Sequence, residues 1–214
     1  MKQSKQDSPL EALNDIKRLM ERSSRYAALS GKSGIIVGVF ALISTIISYT
    51  ILDTNPFDQR LYTDILLNDG RMELSMLKSL LINYGTTLII SFFVAMWLSD
   101  KKAKRNQEKS WDSTAKRMLL NFSIPLLSGG LFCFLLFLRN DLDLILPCTL
   151  VFYGLALLNA SRYTVDEINS LGIFLLVFGI IGSFFTNLGI LLWALGFGVF
   201  HIIYGIILHY KYEK

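Results

Sequence analysis

From residue 33 onward the chain alternates between long apolar runs and short charged segments. A hydrocarbon layer about 30 Å thick takes roughly 20 mostly apolar residues to cross as a helix. Six stretches approach or meet that length: 33–52, 77–98, 119–138, 144–159, 171–185 and 188–209. The last two form one apolar run broken only at Thr186, Asn187, Leu188 and Gly189. That run is too long for one crossing and reads as two helices joined by a tight hairpin. The fourth and fifth runs are short, so five or four spans are the alternatives to six. Apolar residues are continuous rather than alternating, which predicts helices and not a transmembrane barrel. The expected fold is therefore all-α: a polytopic bundle of six transmembrane helices over 33–209, with a segment 1–32 before it and a tail 210–214 after it.

The segments outside the apolar runs carry their own patterns. Ser8, Pro9 and Glu11 make a helix start signal. Leu10, Leu13, Ile16 and Met20 then fall on one face, which predicts an amphipathic interfacial helix over 8–26. Lys17, Arg18, Arg22 and Arg25 lie off that face, and Glu21–Arg25 has the spacing of a helical ion pair. The segment 53–74 holds Asp53, Asp58, Asp64, Asp69 and Glu73, at spacings that match no calcium loop. Within it Leu61, Ile65 and Leu66 suggest a short helix lying on the bundle, and Asp69-Gly70 a turn. The segment 99–118 continues the second helix before turning back, with Trp111 as an anchor at headgroup level.

Composition narrows the class. Of 214 residues 52% are hydrophobic and 18% charged, with mean hydropathy +0.46. A soluble domain of this size has too little interior to hide that much apolar surface. Two cysteines exclude a disulfide scaffold. The cations are unevenly placed. Residues 1–32 carry seven Lys or Arg, 99–118 another seven, the Arg162 connector one and the tail two, seventeen on one side. Arg60, Arg71 and Arg139 are the three on the other. This split predicts a multi-pass protein of the cytoplasmic (inner) membrane with N- and C-termini cytosolic. The first span is expected to be an uncleaved anchor, because the residues before it are polar. The net charge of +4 is thus a topology signal with the lipid bilayer as partner, and not a nucleic-acid footprint.

Ionisable groups inside a span mark pumps and intramembrane enzymes. No Asp or Glu falls in the centre of any span, and Lys78 sits one turn inside the second, where it can snorkel outward. His201 is the one mid-membrane histidine; His209 lies at the interface beside Tyr210 and Tyr212. No catalytic, metal or cofactor motif is present, so the expectation is no enzyme and no cofactor. His201, Asn83, Tyr84 and Asn121 are the candidate polar lining of a path through the bundle. Lys17, Arg18, Arg22, Arg25, Lys101, Lys102, Lys104 and Arg105 are the candidate contacts for lipid headgroups or a cytosolic protein. Gly34 and Gly38 form a GxxxG, and Gly189, Gly196, Gly198 and Gly205 place small faces along the sixth span. Packing within the chain is the first reading of these glycines; a homodimer seam is the other. Cys133 and Cys148 flank a short loop and are read as two free thiols, with a disulfide as the alternative.

Leu19 to Arg25 (LMERSSR) followed by Leu29, Ser30 and Gly31 resembles the N-terminal signature of a family of uncharacterised bacterial polytopic membrane proteins. Asn159 to Thr164 (NASRYT), and His201 to Gly205 with Lys211, Tyr212 and Glu213, are similar to it as well. The resemblance implies a bacterial membrane location and about six helices; it carries no activity. The expected function is a non-enzymatic scaffold, sensor or regulatory subunit acting through its basic cytosolic face, with a small-molecule transporter or channel as the alternative.

Overall fold

The computed structural model describes residues 30–58, 60–68, 71–106 and 112–213. The expected amphipathic helix over 8–26, with Lys17, Arg18, Arg22 and Arg25, and Trp111 lie outside the described residues. Among the described residues six helices are long and apolar enough to cross a membrane: Gly31–Ile51, Leu74–Arg105, Ser113–Leu138, Leu142–Ser161, Glu167–Phe184 and Thr186–Tyr212. The protein is a multi-pass helical membrane protein. Below, α1 is Gly31–Ile51, α2 the short Tyr62–Leu66, α3 Leu74–Arg105, α4 Ser113–Leu138, α5 Ile145–Ser161 and α6 Glu167–Phe184. The sixth span joins α7 (Gly189–Trp193), a π-helical stretch Ala194–Phe200 and α8 (His201–Tyr212). A two-residue antiparallel pair, β1 (Leu67–Asn68) and β2 (Arg71–Met72), brackets the expected Asp69-Gly70 turn, whose own residues are not described.

Helix ends follow local chemistry. Asp112 caps α4, its Oδ1 accepting the Ala115 N–H at 2.7 Å. At the far end Asn140 takes a left-handed conformation, φ 59°. The Asp141 N–H then reaches Leu136 O and the Asn140 N–H reaches Phe137 O, which is the six-to-one, five-to-two closure of a Schellman turn. A 3-10 turn, Thr186–Leu188, separates α6 from α7 where the apolar run is broken.

The core lies among α1, α5, α6 and the sixth span, where Ala41, Leu150, Leu157, Leu171, Leu175 and Trp193 are buried together. Glycines set the distances. A Cβ on Gly205 would stand 2.5 Å from the Ile35 nitrogen and 2.6 Å from Gly31 O, and one on Gly34 would stand 3.0 Å from the Gly205 Cα. The GxxxG of α1 therefore faces the sixth span of the same chain at backbone contact. Gly154 and Gly172 do the same for α5 and α6. Gly196 receives Leu150 and Leu175, Gly198 receives Leu42, and Gly189 meets the Tyr62 ring.

Among the described residues α3 packs chiefly on α1 and α4 chiefly on α5, and the two flanking helices do not pack along each other. Their remaining faces expose Leu88, Phe93, Leu127, Leu131 and similar side chains. Continuous apolar exposure of this kind is what a lipid solvent accepts and water does not. One end of the bundle carries the start of α1, the ends of α3 and α5 and the chain's tail; it is called the tail end here. The other end is closed by α2, which sits on a small core of Leu52, Tyr62, Leu66, Leu142 and Ile190.

Candidate functional site

At mid-depth an aromatic series crosses the bundle. Tyr84 of α3 meets Trp193 edge to face with centroids 5.1 Å apart. Trp193 continues to Phe197 at 4.9 Å, Phe197 to Tyr153 at 4.9 Å, and Tyr153 to Phe122 of α4 at 5.7 Å. His201 lies against this series, stacked on Phe197, and is only 4% exposed. Its Nδ1 is 3.0 Å from Gly196 O, inside the π-helical stretch. A carbonyl only accepts, so Nδ1 carries the proton and Nε2 is left to accept from the Tyr153 hydroxyl at 3.4 Å. Both ring nitrogens are thus directed to protein partners.

The four candidate lining residues do not converge. Asn83 turns to α1, donating from Nδ2 to Ser44 O at 2.9 Å and to Ser48 Oγ at 3.0 Å. Asn121 donates to Arg117 O of its own helix, at 2.8 Å on an exposed face. Tyr84 is aromatic neighbour to Trp193, and among the described residues neither its hydroxyl nor the buried Ser44 hydroxyl has a hydrogen-bond partner. The α1 serines were missed by sequence reasoning; their i,i+4 spacing opposite Asn83 was the available signal.

The tail end holds a buried electrostatic cluster. Glu213, just past α8, has a side chain only 4% exposed. Its Oε1 accepts the Gly31 N–H at 2.8 Å and lies 3.5 Å from Lys102 Nζ. Its Oε2 accepts from His209 Nδ1 at 2.7 Å. Burial opposes ionisation of this carboxyl, but the bonds from His209 and Gly31 and the Lys102 charge outweigh it and hold the group below its ordinary range. The clasp ties the first turn of α1, the last turn of α3 and the end of α8 together. A second tie links Glu167, at the start of α6, to Lys211 and Tyr212. Of the candidate basic contacts on α3, Lys102 is buried in this clasp at 6% exposure and does not face outward. Lys101 is exposed over the Trp97 ring, Lys104 is exposed and paired with Asp100 at 2.6 Å, and Arg105 is exposed.

The opposite end is pinned by neutral and acidic contacts. The Tyr62 hydroxyl donates to Asn187 O at 2.6 Å and accepts the Ile190 N–H at 3.1 Å; burial pushes its pKa up to about 12. Asp143 accepts from both the Thr63 N–H and its hydroxyl, at 2.9 and 2.6 Å. Hydrogen bonds from the Arg60 side chain and backbone hold the Asp58 carboxyl well below the usual range. A cleft of about 320 Å³ opens there beside Asp53, Asp64, Glu73 and Arg60. Among the described residues no group of three His, Cys, Asp or Glu has metal-binding geometry. Cys133 and Cys148 are free, and the Cys133 Sγ lies 3.8 Å from Ile145 O.

No protein-family model matches the chain, and no curated protein and no solved structure is significantly similar to it. The bacterial family resemblance gains no support from these comparisons; the multi-pass helical architecture stands on the helices themselves.

Proposed function

We propose that this is a non-enzymatic scaffold, sensor or regulatory subunit of a bacterial cytoplasmic membrane. It works through the tail end, which faces the cytosol. The observation that carries the reading is where the charge is. At the tail end Lys101, Lys104 and Arg105 stand exposed on α3, while at mid-depth the one histidine is enclosed by aromatic rings and a carbonyl. Exposed cations at the cytosolic surface attract anionic headgroups and acidic protein segments. Lys17, Arg18, Arg22 and Arg25 extend the same basic face in sequence. The transporter alternative draws less support, because His201, Asn83 and Asn121 point to separate partners.

The test is site-specific photocrosslinking in native membranes from position 104, with the sites of attachment identified by mass spectrometry. A discrete cytosolic protein adduct that disappears when Lys101 and Arg105 are both changed to Glu is expected. Crosslinks to lipid alone, unchanged by charge reversal, contradict the partner reading.

A further inference from the structure

We propose that Cys133 of α4 and Cys148 of α5 form a redox-active dithiol that a lipid-soluble quinone oxidises to a disulfide. The site is independent of the partner-docking reading above.

The register of the two helices brings the sulfurs together. A Cβ on Gly129 would stand 2.3 Å from the Phe152 Cβ, so α4 and α5 meet closely there. Cys133 lies one turn after Gly129, and Cys148 one turn before Phe152. Residues a turn apart share a helix face, and α4 and α5 run antiparallel across a tight turn. One turn from the Gly129–Phe152 contact, Cys133 therefore stands opposite Cys148. The Cys133 Sγ lies 3.8 Å from Ile145 O. In a helix that carbonyl points along the axis toward residues 148 and 149, and the Cys148 side chain leans back over the same turn. The two sulfurs are also within electrostatic reach of each other. A disulfide needs Cα atoms within about 7 Å, a separation that helices in glycine contact can meet.

Place and surroundings select the oxidant. Both thiols are free and half-buried, and both lie within apolar spans. A water-soluble oxidant acting on exposed thiolates is not matched to sulfurs in that setting. A quinone is, because it dissolves in lipid and takes up protons together with electrons. Phe132 and Phe134 stand exposed on either side of Cys133, and the Phe132 ring continues to Phe152 with centroids 5.7 Å apart. They offer a planar ring an aromatic surface beside the sulfurs. In the reaction two S–H bonds break and one S–S bond forms. The two electrons and two protons pass to the quinone, which leaves as the hydroquinone. Helix α4 packs chiefly on α5, so the new bond fastens a flanking helix to the core.

The experiment uses the full chain in lipid nanodiscs loaded with a fully substituted quinone, whose ring has no open position for thiol addition. Maleimide labelling after denaturation counts free thiols, and intact mass reads the hydrogens lost. The chain's two cysteines make the count unambiguous. The wild-type chain is expected to lose both thiols together with two hydrogens, and to recover both thiols on treatment with a phosphine reductant. Proteolysis before reduction should yield a linked peptide pair containing Cys133 and Cys148. In Cys133→Ser and in Cys148→Ser the remaining thiol has no partner held beside it, so its loss is expected to be slower on the order of tenfold. Retention of both thiols by the wild-type chain overturns the proposal. Equal rates of loss in the wild-type chain and the single variants, or linkage between two chains instead of within one, overturn it as well.

Discussion

Single residues decide how closely these helices meet. At Gly205 the nearest atoms to an added Cβ belong to backbone, and backbone cannot step aside. Gly205→Ala is therefore expected to cost about 1–3 kcal/mol of overpacking, read as a lower unfolding midpoint in detergent. Gly130 meets nothing within 4 Å. The same change there is expected to be neutral, or to stabilise by up to about 1 kcal/mol through helix propensity. Equal losses at both positions would contradict the account of α1 against the sixth span. Glu213 gives a pH dependence with a definite sign. Its folded-state carboxyl is held below the ordinary unfolded value of about 4.3. Its stabilising contribution is thus complete above that pH and is lost as pH falls through the folded-state value. Melting curves from pH 7 down to about 3 should show that loss in the wild-type chain and a flatter profile in Glu213→Gln.

Elements are held to one another by few polar ties, each with a separable effect. Asn83 is the side chain through which α3 grips α1, and Asn83→Leu removes both of its bonds to Ser44 and Ser48. Interhelical bonds of this kind contribute roughly 1 kcal/mol in lipid, and a midpoint shift of that order is expected. Asp143 is the anchor of α2, so Asp143→Ala should speed amide exchange across Tyr62–Leu66 while leaving the spans protected. The spans themselves were legible in the sequence, because a crossing helix must be long and apolar and little else is. Their ends were less so. Helix α3 runs on to Arg105 and α4 starts at Ser113, since a helix leaving the lipid no longer needs apolar residues. The π-helical stretch Ala194–Phe200 left no trace, because a seven-residue change of pitch does not alter composition. The Glu213 clasp was half visible. Its pairing with His209 has helical spacing, but its bond to Gly31 joins residues 182 apart, which no local pattern encodes.

The whole molecule divides by depth. One end is a neutral-to-acidic cap, the middle is glycine-packed and aromatic, and the other end gathers Lys102, Glu213, His209, Glu167 and Lys211 beneath an exposed basic rim. The account depends most on which way that polarity faces. We propose from positive-inside asymmetry that the basic end faces the cytosol, where anionic lipid and acidic partners are found. The direct measurement is cysteine accessibility in intact cells, with Cys133 and Cys148 changed to Ser and one cysteine introduced at a time, at position 104 or at position 64. An impermeant maleimide is expected to label position 64 at once and position 104 only after the cells are opened. Immediate labelling at position 104 with protection at position 64 would contradict the account.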